Sequence, residues 1–361
     1  MKRVMIAIHA LSFDGAEKVA AMWANYLSKK GCKVACLVHH RLKVEQKLDN
    51  DIEVFAIAET ADQYLKKSAM QRLCATRKIV KSYAPDVIIS LLPKMQMLVM
   101  LATFGMSYMR IETIRNNPWL DTDVGKRRPL WNMCFRRSDW IILQTEEQGE
   151  YFSNKMRKKS VVIRNPILHI PTQKIYEEHY VRNFVAVGRL SGQKNYLMMI
   201  RAFAQIAKEN PCCTLDIYGN GSPESIETLQ TLIDQAGMHD KIRLCGWIRN
   251  IPETLTQYDA FLMSSNYEGM PNALAEAMSV GLICLSTDCK TGPRDMIDSG
   301  VNGFLAKTGD EQSFAEGIEA IIKLNLQQRI AMGAAARAKI LEMCSEENTL
   351  AWLQQLIEVE T

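Results

Sequence analysis

Four charged side chains define the chemistry this sequence can offer: Arg189, Lys194, Glu268 and Glu276. Glu268 opens a Glu-Gly-Met-Pro-Asn run that follows a short apolar stretch, and Glu276 sits eight residues further on. Pro271 suits a first helical turn, where its missing N–H costs nothing. The free N–H groups of Asn272, Ala273 and Leu274 then point out of the helix start, a natural seat for a phosphate. Eight residues exceed two helical turns, so on a continuous helix the two carboxylates cannot meet at one ligand atom. Either they touch different parts of one long ligand, or one of them touches nothing. The plain alternative is a surface loop Glu and a helix Glu paired with a Lys. Arg189 and Lys194 flank another loop, Ser-Gly-Gln, between a strand and a helix. That places two cations at the carboxyl edge of a sheet, where α/β proteins bind ligands.

These residues need a particular frame. Residues 259–263 read as a buried strand, 282–286 as the next, and the helical pattern between them stops at Gly281. The same alternation runs through the chain. In the first half, strands are expected at 3–9, 33–38, 52–56, 87–91, 110–113, 140–143 and 161–163. Helices are expected at 18–30, 62–83 and 95–104, with Gly15 in the loop before the first. Thr145 is a plausible N-cap with Gln148 at the capping-box position. Residues 167–180 are irregular and read as a linker. In the second half, strands are expected at 183–187, 214–218, 242–245 and 303–306, besides the two already named. Helices are expected at 196–210, 223–236, 252–258, 312–323 and 327–343, and a last amphipathic one at 345–359. Alternating β and α elements predict an α/β fold with two doubly wound parallel sheets. The expected domains are 1–166 and 181–344, joined by 167–180 and followed by a helix over 345–361.

Composition narrows the function classes. The 361 residues are 47% hydrophobic and 23% charged, as in soluble globular proteins. The ten Cys show no metal-binding spacing and read as reduced thiols. The longest uncharged stretch, 95–109, is too short to span a bilayer. The net charge of +4 hides an asymmetry. Residues 1–165 hold 28 Lys and Arg against 16 Asp and Glu; the remainder holds 16 against 24. The basic half carries no RNA-module or zinc pattern, so nucleic acid is not the expected partner. An anionic membrane surface or a phosphate-bearing substrate fits its charge.

The runs VGRLSGQKN, YGNGS, LCGWI, NYEGMPNALAEAMSVGLICLSTDCKTGPRDMI and VNGFL resemble the family-4 retaining glycosyltransferases, most densely over 181–310. ALSFDGAEKVAAMWANYL resembles the first loop and helix of the same family. The resemblance implies the GT-B architecture: two Rossmann-like domains across a cleft, with the last helix returning to the first domain. It implies that Arg189 and Lys194 clamp the diphosphate of a sugar nucleotide, which dispenses with a metal or other cofactor. Glu268 would contact the donor sugar and Glu276 the ribose hydroxyls. Gly188, Asn195, Gly269, Met270, Pro271, Asn272, Ala273 and Leu274 would line the donor site, and Trp247 and Ile248, within 246–249, the base pocket. Gly15 would sit under the donor phosphates. Arg115 and Asn116, in the turn 114–118, would face the sugar and acceptor; relatives carry a histidine there, which leaves the acceptor-polarising group open. Catalysis would fall to Arg189, Lys194 and Glu268. Bacterial relatives with such motifs often extend lipid-pyrophosphate-linked glycans. The expected partners are therefore a nucleotide sugar, preferably UDP-linked, a lipid-linked saccharide and an anionic membrane. The expected place is the cytoplasm, peripheral on the inner face of the cytoplasmic membrane. An epimerase or phosphorylase on the same scaffold, or a non-catalytic glycan-binding protein, are the rival readings.

Overall fold

The computed structural model describes residues 1–12, 15–41, 46–167, 171–248 and 251–359. The chain divides into two compact units: Met1–Pro166 with Glu346–Thr361, and Ile167–Ser345.

The first unit is built on seven parallel strands: β1 (Arg3–Ala7), β2 (Lys33–His40), β3 (Glu53–Ala58), β4 (Val87–Ser90), β5 (Met109–Thr113), β6 (Trp140–Leu143) and β7 (Ser160–Val162). Their order across the sheet is β3-β2-β1-β4-β5-β6-β7. Strands such as β4, Val-Ile-Ile-Ser, are buried throughout, as strands covered on both faces must be. The second unit carries β8 (Asn183–Val187), β9 (Thr214–Tyr218), β10 (Ile242–Gly246), β11 (Ala260–Met263), β12 (Ile283–Thr287) and β13 (Phe304–Ala306). Their order is β10-β9-β8-β11-β12-β13, again all parallel. In each sheet the strand order reverses beside the unit's first strand, between β1 and β4 and between β8 and β11. Crevices at such points are where open α/β sheets take their ligands.

Several sequence expectations change. Helix Gly15–Lys29 begins at Gly15, so this glycine is the first helical residue and not part of the loop. The basic segment 62–83 is two helices, Ala61–Lys66 and Ala69–Tyr83. Ser68 separates them, because its hydroxyl and the Gln71 side chain form a reciprocal capping box that starts the second helix. Thr145 does accept from Gln148 N–H at 3.3 Å, but the Gln148 side chain caps Gln144 and not Thr145, and a 3-10 turn, Glu147–Tyr151, follows. A helix absent from the sequence reading, Arg128–Arg137, packs Trp131, Cys134 and Phe135 into the core. The stretch read as a linker is held down over its described part. Lys174 is buried, and the Tyr176 hydroxyl donates to Gly281 O (2.9 Å) and accepts from Ile283 N–H (3.0 Å).

The C-terminal segment is one π-helical turn, Glu347–Ala351, followed by helix Trp352–Glu358. Leu350, Leu353, Leu356 and Ile357 lie in the same core as Val4, Ile6, Trp23, Leu27 and Ile89. Trp352, on the opposite side of that helix, is half exposed. The Lys2 ammonium donates to Ile357 O. The first unit thus contains both ends of the chain. Among the described residues no helix is long and apolar enough to cross a membrane.

Candidate active site

In the second unit the loops after β8 and β11 meet at the point where the strand order reverses. Backbone close approach comes first. Gly188 N–H donates to Tyr218 O at 2.9 Å and Leu190 N–H to Asn220 O at 2.8 Å, tying the β8 and β9 loops together. A Cβ on Gly219 would lie 1.8 Å from Gly188 O, so only glycine fits there. On Gly188 a Cβ would press the Lys194 stem at 3.0 Å, so the glycine leaves that side chain its path.

The β8 loop is then laced to the β11 loop. Ser264 Oγ donates to Lys194 O (2.8 Å), and Asn266 N–H donates to Gln193 O (2.8 Å). Asn195, at φ +50 in the left-handed region, donates to Asn266 Oδ1 at 3.1 Å. The lacing brings together two charges 74 residues apart in sequence: Lys194 Nζ lies 2.6 Å from Glu268 Oε1. Both side chains are largely buried, Lys194 at 16% exposure and Glu268 at 8%. Ser265 Oγ donates to the same carboxylate oxygen at 2.7 Å. Gln193 Nε2 donates to Tyr267 O (2.9 Å) and approaches Glu268 Oε2 (3.5 Å). Burial, together with the Glu268 charge, pushes the Tyr196 hydroxyl and the Cys289 thiol up, the latter to about 12.

A strained residue holds the Glu268 loop from behind. Thr291 is fully buried at φ +70, a region a β-branched residue rarely enters, and its hydroxyl donates to Glu268 O. Beside it, a Cβ on Gly292 would fall 2.1 Å from Gly269 O. The chain then enters helix Asn272–Ser279, with Pro271 as its N-cap and not its first helical residue. Asn272, Ala273 and Leu274 are therefore the first three helical residues, whose N–H groups have no carbonyl one turn back. Glu276 lies half-buried on this helix.

The remaining sequence-derived positions divide. Gly188, Lys194, Asn195, Glu268 and Gly269 are in this one network; Met270 is buried beside them. Arg189 is exposed, and among the described residues its guanidinium makes no hydrogen bond or ion pair. Trp247 is half exposed and Ile248 partly buried at the end of β10; Arg249 lies outside the described residues. Gly15, Arg115 and Asn116 belong to the first unit.

Sequence reasoning missed Gln193, Ser265 and Thr291. It also missed a cluster under the β10 end. Arg243 holds Asp216 by two bonds (2.7 and 2.8 Å), and Tyr258 donates to Asp216 Oδ2 at 2.6 Å. Tyr218 sits 3.0 Å from the Tyr258 hydroxyl. Ser265 had a usable signal, two serines ending an apolar run. Thr291 had none, because nothing in its neighbours announces a left-handed backbone.

A parallel-sheet unit whose switch point brings together a largely buried Lys–Glu pair, an exposed Arg and a helix start offers cationic and N–H donors beside a carboxylate acceptor. Two family models match: "Glycosyl transferases group 1" over residues 173–339 and "Glycosyl transferase 4-like" over residues 10–108. The chain belongs to the GT-B glycosyltransferases of the family-4 type. It is 28% identical over 255 residues to an uncharacterized glycosyltransferase of Methanocaldococcus jannaschii, covering 63% of this chain and 62% of that one. It is 27% identical over 220 residues to the Campylobacter jejuni N-acetylgalactosamine-N,N'-diacetylbacillosaminyl-diphospho-undecaprenol 4-alpha-N-acetylgalactosaminyltransferase, covering 59% of each. The match thus spans about three fifths of the length of these relatives. Among solved structures, Anabaena HepE in complex with UDP and glucose superposes with a TM-score of 0.84 at 17% identity, covering 100% of both chains.

Proposed function

We propose that this protein is a retaining glycosyltransferase. It moves a hexose or N-acetylhexosamine from a UDP-sugar to a saccharide carried on a lipid diphosphate. The observation that carries this reading is the Lys194–Glu268 pair at the switch point of the second sheet, 2.6 Å apart and largely buried. Glu268 is an acceptor-only group fixed by Ser265 and Thr291, suited to the hydroxyls of a donor sugar. Lys194 and the unpaired Arg189 suit its diphosphate, and the Asn272–Leu274 N–H groups add donors to the same charge. Glu276 serves the ribose hydroxyls.

The reaction follows from those parts. The bond between the sugar anomeric carbon and the diphosphate oxygen breaks, and the electron pair leaves with the phosphate. Arg189 and Lys194 offset the charge that develops there. The acceptor hydroxyl attacks the same face of the sugar, and its proton passes to the departing phosphate oxygen. Catalysis is then mainly positioning and neutralisation of the leaving group.

The membrane is the proposed place of action. Helices Ala61–Lys66 and Ala69–Tyr83 carry Lys66, Lys78 and Lys81, with Lys67 between them, and exposed Leu65 and Met70. Lysines with apolar neighbours suit an anionic leaflet. The Campylobacter jejuni relative, whose name places its acceptor on diphospho-undecaprenol, supports the acceptor class.

The test is a panel of UDP- and GDP-sugars with a lipid-linked saccharide, following nucleotide release and product mass. Release of UDP with a saccharide longer by one unit in the α-configuration supports the reading. An inverted product, or no turnover with any pair, overturns it.

A further inference from the structure

Arg115 leaves β5 at its carboxyl edge, in the first unit. Its Nη2 donates to Asn165 Oδ1, an oxygen that also receives Gln144 Nε2 at 3.0 Å. The guanidinium carbon lies 5.3 Å from the centre of the Trp23 ring. Two further donors of the group, Nε and Nη1, are buried and among the described residues have no hydrogen-bond partner, and the same holds for Trp23 Nε1. Trp23 is fully buried. Among the described residues no carboxylate pairs with Arg115; burial alone pulls its pKa down from the ordinary arginine value to about 9. A buried guanidinium without a counter-charge is costly, because desolvation is not repaid by any ion pair. Arg128 and Arg157, also in this unit, have their donors on backbone carbonyls, so the sequence can satisfy such groups when nothing else is required of them.

We infer that Arg115, with Trp23 and Asn165 around it, forms an anion site in the first unit that takes a phosphoryl group of a substrate. Three unpaired donors in one neighbourhood call for an acceptor with several oxygens and negative charge. A phosphoryl group offers three such oxygens, and guanidinium is the side chain best matched to it. Asn165 sets the orientation of the group by holding Nη2. That the phosphoryl belongs to a glycosyl-transfer substrate rests on the proposed function; the existence of the site does not.

The test is calorimetric titration of the full-length protein with inorganic pyrophosphate, alone and saturated with UDP. Wild type is compared with Arg115→Gln, Arg115→Lys and Trp23→Phe. Arg115→Gln is expected to weaken one binding event at least about tenfold, since a charge-assisted hydrogen bond is worth about 1.5–3 kcal/mol. Arg115→Lys keeps the charge and loses the fork, so it falls between. Trp23→Phe keeps the ring, removes the N–H and gives a smaller loss, which secures the test should Arg115→Gln fold poorly. A loss that persists with UDP bound assigns the phosphoryl to the acceptor; a loss seen only without UDP assigns it to the donor. Identical titrations for wild type and all three variants, with and without UDP, overturn the site. Turnover in the sugar-nucleotide panel is read separately. Normal turnover with identical titrations removes the anion site and leaves the function; lost pyrophosphate binding with no turnover does the reverse.

Discussion

In the second unit the largely buried charge at the carboxyl edge of the sheet is paired, Lys194 with Glu268, and within the sheet Arg243 holds Asp216, while Arg189 stands exposed. In the first, on the same strand order, Arg115 is half-buried with its Nε and Nη1 enclosed, no carboxylate among the described residues pairs with it, and His39 is buried with its Nε2 unpaired among those residues. The frame therefore does not dictate the electrostatics. A paired pocket is stable before any ligand arrives. An unpaired cation gains most of its partner when the ligand comes, so its affinity is tied to the charge of that ligand.

Lys194→Met strikes the paired side hardest. It leaves Glu268 buried and uncompensated, a change worth about 3–5 kcal/mol in a buried pair. Urea unfolding of the variant should show that loss, and turnover should vanish. A variant as stable as wild type would mean that the pair adds nothing to the fold of this unit. Arg189→Ala comes next. The side chain is exposed, so stability should hold, while nucleotide release should fall about 10²–10³-fold, as when one charge-stabilising donor is removed. Full turnover would remove Arg189 from the site. Leu353→Ala tests the other unit through its last helix. Leu353 is fully buried, and its truncation should cost about 2–5 kcal/mol. UDP binding to the folded protein should be unchanged, since Arg189, Lys194, Glu268 and Glu276, the proposed contacts to the donor, lie in the second unit.

The most gradual effect is acid sensitivity. His39 stacks on Tyr64 with ring centres 4.3 Å apart, and burial first, then His9, His40, Arg72 and Lys94, lowers its pKa from 6.5 to about 3. In the unfolded chain it takes a proton below about 6.5; in the fold it resists until about 3. The unfolded state thus holds the extra proton between those values, so stability is full above pH 6.5 and declines as pH falls through the window. The slope from this one group is at most about 1.4 kcal/mol per pH unit. His39→Phe should flatten the stability profile between pH 6 and 4 and leave it unchanged at pH 8. An unaltered slope would place the acid sensitivity on other groups.

Much of this fold could be read from the chain. The β9 strand lies where its Thr-Leu-Asp-Ile-Tyr run places it, and β11 and β12 differ by one residue at their ends. Apolar runs bounded by Gly and Asn are local signals. Helix Arg128–Arg137 escaped because its start reads as a charge cluster, Lys126-Arg127-Arg128, before a proline that in fact suits a first turn. The segment 167–180 escaped because irregular backbone looks like a tether until Tyr176 finds Gly281 and Ile283, more than 100 residues away. The candidate site followed the same rule. Arg189, Lys194, Glu268 and Glu276 stood out by type and spacing. The Lys194–Glu268 contact did not, because it depends on strand order, which no local pattern encodes.

The last helix bears on how the chain is made. Its Leu350, Leu353, Leu356 and Ile357 complete a core begun by Val4 and Ile6. During synthesis, which runs towards the C-terminus, the residues 1–166 emerge before 346–359 and wait with that apolar surface open until those residues have left the ribosome. The second unit, continuous in sequence over Ile167–Ser345, has no such wait. Nascent chains stopped just before residue 346 would then hold a finished second unit beside an unfinished first, and aggregation and chaperone capture should concentrate on the latter.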